Sequence, residues 1–355
     1  MAVLAPIAFR TASSARTYAL DADGGIAERL GVDGAATVVA LSDEAWADLV
    51  GQIRTPINLH LAGELVYEAG GFDHLAAWDP HLRHHHAGIP IYDPAAVDLS
   101  GVDLHRSFTL DDSDDDLRAF LEAAGYLHVR GVFTPERMDA ANAEVDRLAA
   151  ACAPGDDRSW WAVDDAGDER LCRIIYATER SEILAELEAD PALARLGALY
   201  GSHLRMAPDR MEGSPVLIKV PGHTKGLANI PWHQDCGIGG HGILCPNLSV
   251  GIQLTGSSAA TGNLTVVPGS HGQAISHTWE RTLTGVPVVC IDTEPGDVTV
   301  HVADVVHASP QPTGAGGRRT LYVTFYPPAL WDHVGPGQAF NDVIRNRTQE
   351  ADALR

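Results

Sequence analysis

From about residue 212 onward the chain breaks into short β-rich runs, at 216–220, 248–254, 263–267, 286–291, 298–302 and 319–326, separated by Gly, Pro and Asn. Turn-forming punctuation at this spacing leaves little room for crossover helices between strands, so the runs must pair mostly with antiparallel neighbours. The pattern predicts an antiparallel sandwich or barrel over residues 210–328.

The preceding hundred residues read differently. Leu117, Phe120, Leu121 and Ala124 recur at helical spacing, and Gly125 sits where a left-handed cap ends a helix. Asp111, Asp112, Asp114, Asp115 and Asp116 lack the glycine and distal glutamate of a calcium loop, so they read as a solvated helix start. A short strand is expected at 126–132. Thr134-Pro135-Glu136 then opens a helix with Met138, Ala141, Val145 and Leu148 on one face. Helices are therefore expected from 112 to 205, packed on the sheet that follows.

Residues 1–105 carry a β-like stretch at 36–41, then Ser42 as a helix cap, with Trp46, Leu49, Val50 and Ile53 at helical spacing and a stop expected at Thr55-Pro56. The stretch 36–70 resembles part of a sterol carrier protein-like fold, on Leu41-Ser42-Asp43-Glu44-Ala45-Trp46-Ala47-Asp48-Leu49 and Leu61-Ala62-Gly63-Glu64-Leu65. His84-His85-His86 reads as a solvent-exposed loop without a role.

Acids outnumber bases 47 to 25, for a formal charge of −22, and Lys219 and Lys225 are the only lysines. That field repels nucleic acid and anionic membrane, and excludes both as expected partners. With no long apolar run, a soluble cytoplasmic protein is predicted; its oligomeric state is not readable. The five cysteines, Cys152, Cys172, Cys236, Cys245 and Cys290, are scattered and expected to stay reduced.

His233-Gln234-Asp235 is the only His-X-Asp triplet among 17 histidines. On a strand, residues two apart share a face, so His233 and Asp235 would grip one metal ion while Gln234 faces away. Two imidazoles and a carboxylate on one face of Fe(II) leave positions open for a chelating keto acid and O2. By itself such a triplet is equally compatible with a structural hydrogen-bonded pair.

Its surroundings carry a resemblance. Asn263-Leu264-Thr265-Val266-Val267-Pro268-Gly269-Ser270-His271, Gly296-Asp297-Val298-Thr299-Val300-His301, His307-Ala308-Ser309 and Arg318 follow in order. The region from Phe120 and Tyr126, through Val129-Arg130-Gly131-Val132-Phe133, to Tyr326 resembles the phytanoyl-CoA dioxygenase family of Fe(II)- and 2-oxoglutarate-dependent oxygenases. The resemblance implies an α+β fold: a double-stranded β-helix (jelly-roll or cupin-like) core with flanking helices, an N-terminal extension over 1–105 and an oxygenase domain over 106–355.

It further implies that His233, Asp235 and His307 ligate the iron and that Arg318 pairs bidentately with the remote carboxylate of 2-oxoglutarate. Ser309 is placed to bond the same carboxylate, and Gln253 to contact the cosubstrate or serve a structural role. Arg319 is the alternative to Arg318, and His301 the rival third ligand. His271 reads as a turn-stabilising residue and Cys236 as a small core residue. Lys219 and Lys225 read as solvated residues flanking a loop, with anion binding as the second reading. Trp160, Trp161 and Trp232 read as pocket lining or as core.

The implied reaction uses O2 and 2-oxoglutarate, yields succinate and CO2, and hydroxylates a C–H bond of a small substrate. A carboxylate ligand at Asp235 leaves no place for chloride, which argues against halogenation. The substrate is expected to be hydrophobic or amphipathic, such as a terpenoid, steroid, acyl or other natural-product intermediate, since the chain shows no basic cluster for CoA phosphates. The rival readings are a non-catalytic lipid or small-molecule binding protein and a metal-dependent double-stranded β-helix enzyme that does not use 2-oxoglutarate.

Overall fold

In the computed structural model the described residues are 4–330 apart from 23, 165, 202, 210, 226–229, 236–246, 276–285, 315 and 329. Packing divides the chain into two units, with the first boundary between Ala96 and Val97.

The first unit is a five-stranded sheet with helices. β1 (Ile7–Arg10), β2 (Ala15–Leu20), β3 (Ile26–Leu30), β4 (Thr37–Ala40) and β5 (Val66–Ala69) lie in the order β3-β2-β1-β4-β5. Only β1 and β4 pair in parallel. Helices α1 (Asp43–Val50), α2 (Pro56–Leu61) and α3 (Phe72–Ala87) complete the unit, and Ile7, Phe9, Tyr18, Val39, Leu49, Leu75 and Trp78 fill its core. Ser42 caps α1 through the Ala45 N–H. Thr55-Pro56, expected to stop a helix, instead starts one: α1 ends at Val50, Thr55 caps α2 through the Asn58 N–H, and Pro56 occupies a position whose N–H would be orphaned anyway. The histidine cluster is likewise no loop. His84, His85 and His86 form the last turn of α3, where Tyr18 and Trp46 pack edge-on against the imidazoles and His85 Nε2 meets Glu28 at 2.7 Å.

The second unit opens with α4 (Asp114–Ala124), capped by Ser113 accepting from the Asp116 N–H at 3.1 Å, with Asp114, Asp115 and Asp116 in its first turn. Gly125 ends it at φ +83°. A Cβ there would also sit 2.7 Å from His271 Nδ1 and 2.8 Å from Val305 Cγ2, so glycine is required on two grounds. Then follow β6 (Tyr126–Val129), α5 (Pro135–Ala149), β7 (Ser159–Asp164), β8 (Glu169–Ile174), α6 (Glu182–Glu188), α7 (Pro191–Gly197) and β9 (Arg205–Met206). The β7–β8 hairpin departs from the helices expected across 112–205: both strands join the main sheet.

The remaining strands are β10 (Val216–Lys219), β11 (His223–Lys225), β12 (Ile230–His233), β13 (Leu248–Gln253), β14 (Leu264–Val266), β15 (Val289–Ile291), β16 (Val298–Val302), β17 (His307–Ser309) and β18 (Arg318–Tyr326). They form a nine-stranded sheet, β11-β7-β8-β10-β18-β13-β16-β6 with β9 on β18, and a four-stranded sheet, β12-β17-β14-β15. Neither closes into a barrel. This is the expected double-stranded β-helix architecture with flanking helices.

Alternation along the large sheet creates two chemically different faces. Val250, Ile252, Val298, Val300, Val302, Leu321, Val323 and Phe325 share a core with Leu117, Leu121, Met138, Val145, Leu184 and Leu196 of α4 to α7. Each such buried side chain contributes roughly 1.5–3 kcal/mol. The intervening positions, Gln253, Thr299, His301, Arg318, Thr320 and Tyr322, place polar groups on the opposite face, where the site is built.

Candidate functional site

β12 and β17 are antiparallel neighbours in the small sheet, and their register sets His233 directly opposite His307. The two imidazole centroids lie 4.2 Å apart. One candidate ligand atom each from His233, Asp235 and His307 falls within 4.8 Å of the other two. Strand alternation does not account for Asp235, because β12 ends at His233 and the carboxylate comes from the residues just beyond it. Gln234 is buried and donates through Nε2 to the Asp304 carbonyl.

The protonation pattern of His307 follows from its partner. Nδ1 lies 2.9 Å from the Val305 carbonyl oxygen, which only accepts, so Nδ1 carries the proton and Nε2 keeps the lone pair a metal needs. His301 is buried with its ring 4.4 Å from that of His307, yet the metal-competent group found among the described residues comprises His233, Asp235 and His307. His271 lies apart from it, Nε2 against the Glu122 carbonyl at the end of α4.

A second cluster surrounds Arg318, which is 1% exposed. Its Nη1 donates to Gly262 O (3.0 Å) and Ser309 Oγ (3.1 Å), Nε to Thr320 Oγ1 (2.9 Å) and Nη2 to Tyr322 Oη (2.9 Å). Every one of these acceptors is neutral. Among the described residues no carboxylate pairs with this guanidinium, so the fold leaves a buried cation whose charge only an incoming anion would neutralise. Four of its five N–H groups are already engaged, so the open fork expected from the sequence is reduced to one free hydrogen. Arg319 points to the helix side, where Nη2 meets Asp146 of α5 at 2.6 Å.

Gln253, fully buried, donates to Thr299 Oγ1 (3.0 Å) and accepts from Thr320 Oγ1 (3.1 Å), the hydroxyl that receives Arg318 Nε. It therefore orients Arg318 through Thr320. Ser309 Oγ donates to Gly262 O at 2.9 Å and steadies the same guanidinium.

One sequence expectation changes, and one left open is resolved for Trp160. Lys219 is no solvated loop residue: it ends β10 and is 1% exposed, with Nζ on the Ser309 and Pro310 carbonyls. The four-residue run Val216–Lys219 is buried throughout, which a strand buried on both faces explains and which alternation alone does not. Trp160 packs with Cys172, Ile175 and Tyr176 beneath the Arg173 guanidinium, 4.8 Å from its ring, and so belongs to a satellite core. Trp161 bonds Ser159 Oγ through Nε1, and Trp232 is half-buried in β12. Cys236, Cys245 and the Lys225 side chain lie outside the described residues. Sequence reasoning missed Thr320 and Tyr322, although their spacing of two and four from Arg318 on one strand was the signal to follow.

Residues 121–320 match the phytanoyl-CoA dioxygenase (PhyH) family. The chain belongs to this family. Its members are Fe(II)- and 2-oxoglutarate-dependent dioxygenases that consume O2, and the donor set fits those groups: two imidazoles and a carboxylate for the metal, a buried unneutralised guanidinium for the dicarboxylate. Among curated proteins, the ectoine dioxygenase of Bordetella parapertussis is 29% identical over 168 residues, 46% of this chain and 51% of that protein. The chain thus spans about half the length of this curated relative. Among solved structures, AviO1 from Streptomyces viridochromogenes Tue57 is similar at TM-score 0.50 and 23% identity, covering 61% of this chain and 96% of that one. EctD from S. alaskensis with bound Fe is similar at TM-score 0.50 and 19% identity, covering 68% and 84%. These likenesses are of fold. The sterol carrier resemblance of the N-terminal region finds no support in them.

Proposed function

We propose that the chain is an Fe(II)- and 2-oxoglutarate-dependent hydroxylase of a hydrophobic or amphipathic small molecule. The observation that carries this reading is the convergence of His233, Asp235 and His307, two imidazoles from paired strands and a carboxylate from just beyond one of them, together with a buried guanidinium, Arg318, that no carboxylate among the described residues neutralises. When bound, the iron with 2-oxoglutarate and O2 supplies oxidative decarboxylation to succinate and CO2 and oxidation of a substrate C–H bond. His233, Asp235 and His307 hold the metal, and the Val305 carbonyl keeps His307 in the ligating tautomer. Arg318 anchors the remote carboxylate, with Ser309, Thr320 and Gln253 fixing its plane.

The substrate class rests on the strong negative charge of the chain, which disfavours a polyanionic CoA thioester. Ectoine enters the screen because the ectoine dioxygenase relative acts on it by name. The deciding assay is succinate formation from 2-oxoglutarate with Fe(II) and O2, with and without candidate substrates. Succinate stimulated by a substrate supports the hydroxylase. Metal-dependent turnover without succinate would favour an enzyme that does not use 2-oxoglutarate, and ligand binding without any turnover a binding protein.

A further inference from the structure

Ser107, His128 and Asp297 form a hydrogen-bonded chain at the β6 edge of the large sheet, and the oxygenase reading uses none of them. Ser107 Oγ lies 3.0 Å from His128 Nδ1, and His128 Nε2 lies 2.8 Å from Asp297 Oδ2. Backbone contacts hold each member in place. The Phe108 N–H donates to the His128 carbonyl and the Arg130 N–H to the Phe108 carbonyl, both at 2.8 Å, which fixes Ser107 beside β6. His128 pairs across the sheet with Thr299 of β16. Asp297 accepts from the Gly131 N–H on Oδ1 and from the Glu294 N–H on Oδ2, each at 2.9 Å.

These contacts set the direction of a proton path. A carboxylate only accepts, so Nε2 carries the imidazole hydrogen and Nδ1 keeps its lone pair for the Ser107 hydroxyl. A serine bonded to a histidine base, itself oriented by a carboxylate, is the arrangement that makes an alcohol nucleophilic. The ring is turned end for end relative to the usual serine-hydrolase order, but it still joins the hydroxyl to the carboxylate. The Asp297 and His128 side chains are 6% and 12% exposed, so their pair is shielded from water, while Ser107 keeps partial exposure. Among the described residues the Ser107 N–H has no acceptor, which leaves one donor beside Oγ for a developing oxyanion. One donor is half of the usual pair, so the leaving group must be a good one. Arg106, the adjacent cation, is committed to Asp112 at 3.2 Å and to the face of Phe108, so the substrate should be uncharged.

We propose that Ser107, His128 and Asp297 form a second active centre, apart from the iron site, that hydrolyses uncharged carboxylic esters of phenols or enols. Ser107 Oγ bonds to the ester carbonyl carbon as its proton passes to His128 Nδ1. The bond from that carbon to the leaving oxygen breaks, and the leaving oxygen takes the proton. Water then adds to the acyl carbon, its proton passing through Nδ1 to Ser107 Oγ, and the carboxylic acid is released. Asp297 is a positioning residue: it holds the Nε2–H tautomer and faces the imidazolium as it forms.

The test is labelling of the purified full-length protein with an alkyl fluorophosphonate, the adduct located by peptide mass spectrometry, alongside release of 4-nitrophenolate from 4-nitrophenyl acetate. Wild type should carry the phosphonate on Ser107 and release an early burst of about one nitrophenolate per chain, the mark of an accumulating acyl-enzyme. Ser107→Ala should lose both the adduct and the burst while keeping its iron content. His128→Gln should slow labelling roughly 10²–10⁴-fold. Asp297→Asn, which favours the wrong tautomer, should slow it about a hundredfold or more in protein that circular dichroism shows to be folded. Wild-type protein with no adduct at Ser107 would overturn the proposal whatever the variants do, and so would ester turnover that survives unchanged in Ser107→Ala. Lowered Tm in the three variants without an adduct in wild type would mark the chain as a structural clamp, and equally overturn it.

Discussion

Replacing Arg318 by Met tests the anchor while keeping much of the buried volume. The variant removes a cation that makes four hydrogen bonds to neutral groups and meets no carboxylate among the described residues. Without cosubstrate the loss is muted, since removing an uncompensated buried charge relieves a desolvation cost while leaving Thr320 and Tyr322 short of a donor. With cosubstrate the charge pair itself is lost. Two unit charges 4 Å apart at an effective dielectric of 20 attract by ~4 kcal/mol, and deleting one partner of a buried pair costs about 2–5 kcal/mol. At 1.4 kcal/mol per tenfold, Kd for 2-oxoglutarate should rise roughly thirtyfold to a few thousandfold. Iron content should hold, because the ligands sit on or beside β12 and β17. Arg319→Met is the matched control: its partner Asp146 is largely exposed, so the pair is worth about 0–1 kcal/mol and cosubstrate affinity should not move. Titration of 2-oxoglutarate into both variants, with iron measured alongside, decides the matter. Equal weakening in the two, or loss of iron from Arg318→Met, would refute the reasoning.

His233→Ala, Asp235→Ala and His307→Ala should each lose iron, whereas His301→Ala should retain it; metal analysis of the purified proteins reads this directly, and retention by His307→Ala would move the third ligand elsewhere. Asp297 should link stability to pH. Burial pushes its carboxyl up, but hydrogen bonds from His128 and from the backbone N–H groups of Glu294 and Gly131 outweigh this and hold it below the usual carboxylate range. Its contribution is therefore complete above the unfolded pKa and fades as pH falls through the lower folded value. Asp297→Asn should cost about 1–3 kcal/mol at neutral pH, with the difference in Tm from wild type shrinking below about pH 4. A pH-independent difference would show that the carboxylate charge is irrelevant. Gly125→Ala should lower stability by about 1–3 kcal/mol in denaturant melts, combining the strained φ with collisions against His271 and Val305; a neutral result would mean that the neighbours yield freely.

Local chemistry by itself determined much of this protein. Ser42, Ser113 and Thr134 cap helices where the sequence places them, because a side-chain oxygen satisfying an orphaned N–H needs only residues three apart. Gly125 ends α4 for an equally local reason. The β-rich texture after residue 212 specified the sheet architecture, since alternation sorts each strand into an apolar face and a polar one. Where local signals had two readings, the sequence did not decide: Thr55-Pro56 serves as well to start a helix as to stop one, and the hairpin of β7 and β8 is strand because the sheet edge offers it hydrogen-bond partners.

Only tertiary structure decided what the polar residues do. Pairing of β12 with β17 sets His233 against His307, 74 positions further along the chain, a register no spacing rule contains. Lys219 shows the limit most clearly. Its charge suggests solvent, but β10 lies between β8 and β18 in the middle of the sheet, and two carbonyls from β17 and the residue after it take its hydrogens. Burial is a property of the assembled layers, and the pKa of a buried amine follows from them rather than from its neighbours in the chain.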